Sequence, residues 1–272
     1  MKNYMFLLFS LVTILLNAQI TESRNVSTFN EIIGKSGVNI IYYNSDSPKV
    51  IVETDKRENL NYIITAIKNN TLEIAVDTKN QRDITIAKID IKVYGPSLTK
   101  VSMSAGARIS FEDKMKTNQL EIKQTSGAQV VFKDIKANGI EINLSSGAQL
   151  NGNFSTTTIS SKMSSGAVWN SKINSEYTTI NISSGAKATL KGETEQLAIK
   201  ATSGSHSDLK NVKTTEAKLV ASNASSITSW VSQKLLVDAN TASNVTIKGL
   251  PTDLTVQRDK LSKVLNENGD VY

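Results

Sequence analysis

The chain repeats one short phrase: Ser104-Ala105-Gly106-Ala107, Ser126-Gly127-Ala128, Ser146-Gly147-Ala148, Ser165-Gly166-Ala167, Ser184-Gly185-Ala186 and Ser203-Gly204-Ser205. Two degenerate copies follow, Asn223-Ala224-Ser225 and Thr241-Ala242-Ser243. The steps between the central residues are 21, 20, 19, 19, 19, 20 and 18 residues. A period this regular indicates a structural repeat, in which each copy forms one unit of the fold.

A two-residue alternation surrounds each central residue. Apolar side chains recur seven, five and three residues before it, as in Ile140, Ile142 and Leu144, and small or apolar ones recur one and three residues after it. Such alternation is typical of strands with one buried face. One copy cannot bury that face alone, so the copies must stack. The sequence therefore predicts an all-β fold, a parallel β-helix of about 20-residue coils, in which each coil has two strands joined by a small-residue corner.

An antiparallel up-and-down barrel is the main rival fold. It would need a hairpin turn between successive strands, and Asn138-Gly139 and Asn151-Gly152 are two candidate turns that do not recur in every copy. Glycine permits a left-handed backbone at the corner, although Ala224 and Ala242 require a conformation that a residue with a Cβ can reach. We expect the corner serine hydroxyls to hydrogen-bond along the stack or to backbone groups, those of Ser126, Ser146, Ser165, Ser184 and Ser203.

Residue composition and repeat spacing divide the chain into four predicted segments. Residues 1–18 have the basic start, apolar run and small-residue end of a secretory signal peptide. Residues 19–97 are a β-rich segment, either a cap or wider coils, in which Ile63 to Ile67 could be a strand or a helical turn. Residues 98–250 carry the repeats, and residues 251–272 form a C-terminal coil and tail.

Composition narrows the class of function. The chain has no cysteine, hence neither disulfides nor thiolate metal sites, and its net charge is +6. The basic residues are scattered, which argues against a nucleic-acid binder and fits a weak attraction to anionic surfaces or glycans. The mature chain has no second apolar run long enough to span a membrane. Neither recurring carboxylates for glycosidase or lyase chemistry nor a phosphate-binding glycine loop is found, so we expect no catalytic residues, cofactor or metal.

The candidate ligand-facing positions lie two residues after each corner. Alternation turns these side chains outward, and we expect them to form a strip able to bind sugar hydroxyls or a polar protein edge: Arg108, Gln129, Gln149, Lys187 and His206. An ordinary solvated sheet face is the alternative. His206 is the only histidine and is interpreted, with Asp208, as a surface residue. Trp230 is predicted to point outward as a surface aromatic, whereas Trp169 is predicted to fill the interior.

The order of the segments resembles a known family. Phe29-Asn30-Glu31-Ile32 leads to Ser36-Gly37-Val38-Asn39-Ile40, followed by Val50-Ile51-Val52-Glu53, Leu72-Glu73-Ile74 and the Ser-Gly-Ala repeats. This series is similar to the putative auto-transporter adhesin head family, also called the head GIN domain, found in secreted bacterial proteins. The resemblance implies a right-handed β-helix and an adhesin-like role, with no catalytic or binding residues to carry over.

The leading hypothesis is an exported, non-enzymatic β-helix that binds or scaffolds at the cell envelope, and its location would be the periplasm, the cell surface or the extracellular space. Its partners would be envelope glycans or surface proteins. A polysaccharide-active lyase or hydrolase is one alternative. A structural rod that forms homo-oligomers through exposed coil ends is another.

Overall fold

A computed structural model describes residues 20–77 and 89–272, so the predicted signal peptide, residues 1–18, lies outside the described residues. The described chain is all-β and forms a parallel solenoid of about nine turns. Its strands are β1 (Ile20–Asn25), β2 (Glu31–Gly34), β3 (Asn39–Asn44), β4 (Lys49–Thr54), β5 (Ile63–Lys68), β6 (Thr71–Val76), β7 (Ile89–Gly95), β8 (Lys100–Met103), β9 (Arg108–Lys116), β10 (Gln119–Gln124), β11 (Gln129–Leu144), β12 (Gln149–Met163), β13 (Val168–Ile182), β14 (Lys187–Ala201), β15 (His206–Ala221), β16 (Ser226–Ala239), β17 (Asn244–Lys248), β18 (Asp253–Arg258) and β19 (Lys263–Leu265).

Successive coils pair in parallel and almost in register. Leu150 of β12 faces Trp169 of β13, and Trp169 faces Ala188 of β14. The parallel pairing continues from β8 and β9 through β19. The parallel coils confirm the predicted β-helix and exclude the antiparallel barrel. In the middle coils a single long strand runs from one corner to the next, and the residue at its bend, such as Thr157, is left out of the register.

Each corner is a tight turn with two left-handed residues. In the coil at Ser145 to Ala148, the two central residues have φ values of 52° and 72°, and the Ala148 N–H donates to the Ser145 carbonyl oxygen at 3.1 Å. Positive φ at both central positions is characteristic of a type I′ turn, which favours glycine. Ala224 and Ala242 adopt the same conformation with φ of 59°. The corner is therefore left-handed in every copy, with or without glycine.

The corners are joined by backbone bonds and not by the predicted hydroxyl bonds. The Gly147 N–H donates to the Ser165 carbonyl oxygen of the next coil at 3.0 Å, and the same bond recurs from coil to coil. The side chains of Ser126, Ser146, Ser165, Ser184 and Ser203 are exposed, and no described hydrogen bond connects their hydroxyls across coils. In later copies a serine replaces the inward alanine, and its hydroxyl donates to the backbone carbonyl that precedes the previous corner, as Ser225 does to Ala201 at 2.9 Å. The prediction placed these hydroxyl bonds on the wrong residues.

The N-terminal segment forms a coil of the solenoid and also the antiparallel strands that cover its end. Strands β2 and β3 flank a corner at Ser36 and Gly37, whose N–H donates to the Ala105 carbonyl oxygen at 2.9 Å, so this turn belongs to the same stack. Strands β6 and β7 pair in parallel with β2 and β3 on the side away from the repeats. Antiparallel strands then cover this end, β5 on β6 and β4 on β7, with β1 on β4. Residues Arg57–Tyr62 form a 3-10 helix, and Ile63–Lys68 is a strand.

Large aromatic side chains fill the interior in a continuous row. The ring centroids of Phe111 and Phe132 are 4.4 Å apart, those of Phe132 and Phe154 are 5.8 Å apart, and those of Phe154 and Trp169 are 6.5 Å apart. Tyr42 extends the row toward the N-terminal end, 5.0 Å from Phe111. Trp169 is fully buried, which confirms its predicted inward position.

Gln124 is a polar residue at an inward position that its register partners fill with Met103 and Leu144. Its side chain is 3% exposed, and neither amide atom has a hydrogen-bond partner among the described residues. We expect Gln124→Leu to raise the free energy of unfolding by about 1–2 kcal/mol, because it removes two unpartnered polar atoms from an apolar interior. Chemical denaturation followed by circular dichroism measures this change. Gln149→Leu, at an exposed strand position, is the control and should change stability by less than about 0.5 kcal/mol. A destabilised Gln124→Leu variant would contradict the expectation.

Candidate functional site

The predicted ligand-facing residues form one in-register column. Arg108 faces Gln129, which faces Gln149; Val168 follows, then Lys187, which faces His206. Arg108, Gln149, Lys187 and His206 are exposed and Gln129 is half-buried. The column continues at Asn39 on one side and through Ser226 and Asn244 on the other. We call the residues Arg108, Gln129, Gln149, Lys187 and His206 the ligand strip.

His206 lies beside a serine hydroxyl, and the nearby carboxylate of Asp208 is bonded to a lysine instead of to the imidazole. Its Nδ1 lies 2.5 Å from the Oγ of Ser226. Asp208, two residues along the strand, accepts a hydrogen bond from the Lys210 ammonium at 2.9 Å. Burial raises the pKa of Asp208, but the hydrogen bonds from Lys210 lower it by more, so the pKa lies below its ordinary value. The carboxylate is therefore paired with a lysine, whereas a triad aspartate would orient the imidazole.

The backbone around this pair offers no oxyanion site. The His206 N–H donates to the Ala186 carbonyl oxygen at 3.0 Å, and the Ser226 N–H donates to Ser205 at 2.9 Å. Acyl-transfer sites need N–H donors that are free to bind a developing oxyanion. Beside the exposed His206 and the half-buried Ser226, these two N–H groups are therefore already bonded and are not free to bind an oxyanion.

A second surface lies on the other side of the corners, and the sequence reasoning missed it. A shallow groove of about 810 Å³ runs across the coils just before each corner. We call it the pre-corner groove and define it by a lysine–asparagine row and a hydroxyl row: Lys123, Asn143, Lys162, Asn181 and Lys200, then Thr125, Ser145, Ser164, Ser183 and Thr202. The signal was present in the sequence, because lysine and asparagine alternate four residues before the central glycine.

Trp230 does not stand free on the surface. It is half-buried, and a Cβ at Gly249 would lie 3.1 Å from the Nε1 atom of its indole, so the ring packs against the Gly249 backbone. Its remaining surface borders a groove of about 710 Å³ at the second bend of the coils, which also contains Glu176, Glu193 and Glu195. Trp230 is therefore distant in the coil from the ligand strip.

Within residues 20–77 and 89–272, no three His, Cys, Asp or Glu side chains are grouped so that they could hold a metal ion. No helix in the same ranges has the length and apolar character needed to cross a bilayer.

Comparisons with known proteins give a family and a fold. A family model described as "Putative auto-transporter adhesin, head GIN domain" matches residues 28–189 and 148–251. Among curated proteins no sequence matches. One similar solved structure is a putative adhesin from Parabacteroides merdae, with a TM-score of 0.66 over 91% of this chain and 95% of that one. A putative adhesin from Parabacteroides distasonis has a TM-score of 0.65 over 92% of this chain and 96% of that one. A putative lipid binding protein from Parabacteroides distasonis has a TM-score of 0.60 over 91% of this chain and 94% of that one. Each is 17% identical to this chain, so these similarities show the shared fold.

Proposed function

Because this chain belongs to the putative auto-transporter adhesin, head GIN domain family, we propose that it is an exported, non-enzymatic protein that binds polar ligands at the bacterial cell envelope. The observation that carries the proposal is the ligand strip, in which polar side chains from five coils stand in register on one face, interrupted by Val168 between Gln149 and Lys187. Adjacent strands of a sheet are about 4.8 Å apart, so the hydrogen-bonding groups on either side of Val168 follow one another at this short interval. An extended polymer lying across the coils would meet several of them at once.

The chemistry of the strip fits a glycan or the polar edge of a protein. Gln129 and Gln149 supply amide donors and acceptors, and Lys187 supplies a cation. His206 shares a hydrogen bond with Ser226 and keeps its other ring nitrogen for a ligand. Binding by such a surface needs no rearrangement, because the backbone of every contributing strand is fixed by its neighbours in the stack.

The proposal is tested with a glycan array and purified envelope polysaccharides, using the wild type and the triple variant Gln149→Ala, Lys187→Ala, His206→Ala. We expect the triple variant to bind about tenfold more weakly, because each substitution removes one exposed hydrogen-bonding group. The matched control takes one exposed residue at the second bend of each of the same strands, Thr157→Ala, Glu195→Ala and Lys213→Ala, and should bind like the wild type. The proposal would be overturned if the protein bound no ligand on any array and if protease added to intact cells did not cleave it.

A further inference from the structure

The pre-corner groove alternates a cation with an amide along the stack. Lys162 of β12 faces Asn181 of β13, which faces Lys200 of β14. Lys123 and Asn143 continue the alternation in the preceding coils. Since neighbouring strands are about 4.8 Å apart, successive lysines are separated by about 9.6 Å.

The charge of the groove is not neutralised over its central coils. Lys123 pairs with Glu121, but neither Lys162 nor Lys200 takes part in an ion pair among the described residues. Both side chains are exposed. The outward positions of these three coils hold no carboxylate: Ser160, Lys162, Ser164, Thr179, Asn181, Ser183, Ala198, Lys200 and Thr202. The groove therefore complements a ligand with repeated negative charge.

A row of half-buried hydroxyls lines the side of the groove nearest the corners. The Ser145 hydroxyl donates to the Thr125 hydroxyl oxygen at 3.1 Å, and Ser222 donates to Thr202 at 3.3 Å. Hydroxyl groups both donate and accept, as sugar hydroxyls do. With the half-buried amides of Asn143 and Asn181, the row supplies polar partners between the cations.

We propose that the pre-corner groove binds a linear acidic polysaccharide that carries one carboxylate in every disaccharide repeat, with the chain running along the stack. One sugar of an extended polysaccharide is about as long as the distance between adjacent strands. A carboxylate on every second sugar then meets a lysine on every second coil, while the intervening sugar meets an asparagine. The inference rests on the proposed binding role but concerns a different face from the ligand strip.

Other polyanions fit the groove less well. Single-stranded nucleic acids are held by aromatic side chains on which bases stack, and none of the described residues that line the groove is aromatic. Membrane surfaces are bound by basic residues together with apolar side chains that enter the interface, and the outward residues of the three central coils are polar except for Ala198. The regular spacing of charge and hydroxyls favours the polysaccharide.

The test measures binding by isothermal titration calorimetry at low ionic strength. The probes are hyaluronan fragments, with a carboxylate on alternate sugars, polygalacturonate, with a carboxylate on every sugar, and neutral dextran. We expect the wild type to prefer hyaluronan. Lys162→Gln with Lys200→Gln should weaken that binding by about tenfold, since two charge contacts are lost. The control pair Lys172→Gln with Lys191→Gln, exposed on the opposite side of the corner in β13 and β14, should leave it unchanged.

A gain of function tests the spacing itself. Asn181→Lys places cations on three successive coils, so we expect the variant to lose its preference and to bind polygalacturonate more tightly than the wild type does. Circular dichroism verifies that each variant is folded. Equal wild-type binding to both acidic polymers, equal effects of the two lysine pairs, or binding only to phosphatidylglycerol vesicles or single-stranded DNA would overturn the inference.

The proposals for the two binding surfaces can be refuted separately. Loss of array binding in the ligand-strip variant, with no hyaluronan binding by the wild type, would overturn the groove and leave the proposed function in place. If hyaluronan binding depends on Lys162 and Lys200 while the ligand-strip variant binds the arrays like the wild type, the groove is supported as a binding site and the ligand strip is rejected as one.

Discussion

Replacing Trp169 with alanine is expected to lower the free energy of unfolding by about 3–5 kcal/mol, the range for truncating a fully buried large side chain. Its indole is 0% exposed and packs edge-on against Phe154. The register neighbour in the next coil is Ala188, which is too small to fill the space that the indole would leave. Urea denaturation monitored by circular dichroism measures the loss.

Two further variants show whether the loss comes from the aromatic packing. Trp169→Phe keeps a ring in the row and removes the indole Nε1, which has no hydrogen-bond partner within residues 20–77 and 89–272. We therefore expect it to recover more than half of the stability that Trp169→Ala loses. Trp230→Ala, at a half-buried site, should cost clearly less than Trp169→Ala. A loss below about 1 kcal/mol in Trp169→Ala would contradict the continuous aromatic row.

The repeats could be predicted from sequence because two local patterns coincide in them. The period-two alternation fixes which side chains point inward, and the recurring small corner fixes where each coil begins again. Together they place Trp169 inside and Gln149 outside without knowledge of any tertiary contact. Parallel in-register stacking then follows, since each strand meets its own copy in the next coil.

The N-terminal coil was harder to predict because its corner lies far from the next one in sequence. Gly37 and Gly106 are 69 residues apart, yet they occupy neighbouring corners. Strands β2 and β3 pair in parallel with β8 and β9 and on their other sides with β6 and β7, which are separated from them by intervening antiparallel strands. Nothing local encodes this long-range pairing, so the segment looked equally like a cap or like wider coils.

The candidate surfaces were partly predictable from the same alternation and parallel stacking. Alternation gave the outward direction of Lys187 and His206, and parallel stacking aligned them. It gave the same direction for Lys162 and Lys200, but their significance depends on the asparagine between them and on the lack of a carboxylate at the outward groove positions of their own three coils. Such features emerge only when columns are compared across coils. The packing of Trp230 on Gly249 could not be foreseen, because it depends on where the following coil bends.

Gly192→Ala is expected to lower the free energy of unfolding by about 3 kcal/mol or more. Gly192 lies within β14 at φ of +117°, a conformation that residues with a Cβ rarely adopt. Its Cβ would also collide with the carbonyl oxygen of Ile173, its register neighbour in β13, and this backbone atom cannot move without breaking the ladder. The matched control is Gly185→Ala in the adjacent corner, where φ is +69° and no atom lies within 4 Å of the added Cβ.

Only the left-handed conformation opposes the control substitution, at about 1 kcal/mol, and Ala224 and Ala242 already adopt that conformation in their own corners. Chemical denaturation of the two variants under the same conditions should therefore give a much lower midpoint for Gly192→Ala than for Gly185→Ala. Similar midpoints would mean that the corner and the strand interior tolerate a Cβ equally. That result would contradict the close approach of β13 and β14 at this position, because a Cβ at Gly192 would collide with the Ile173 carbonyl oxygen whereas one at Gly185 would meet no atom within 4 Å.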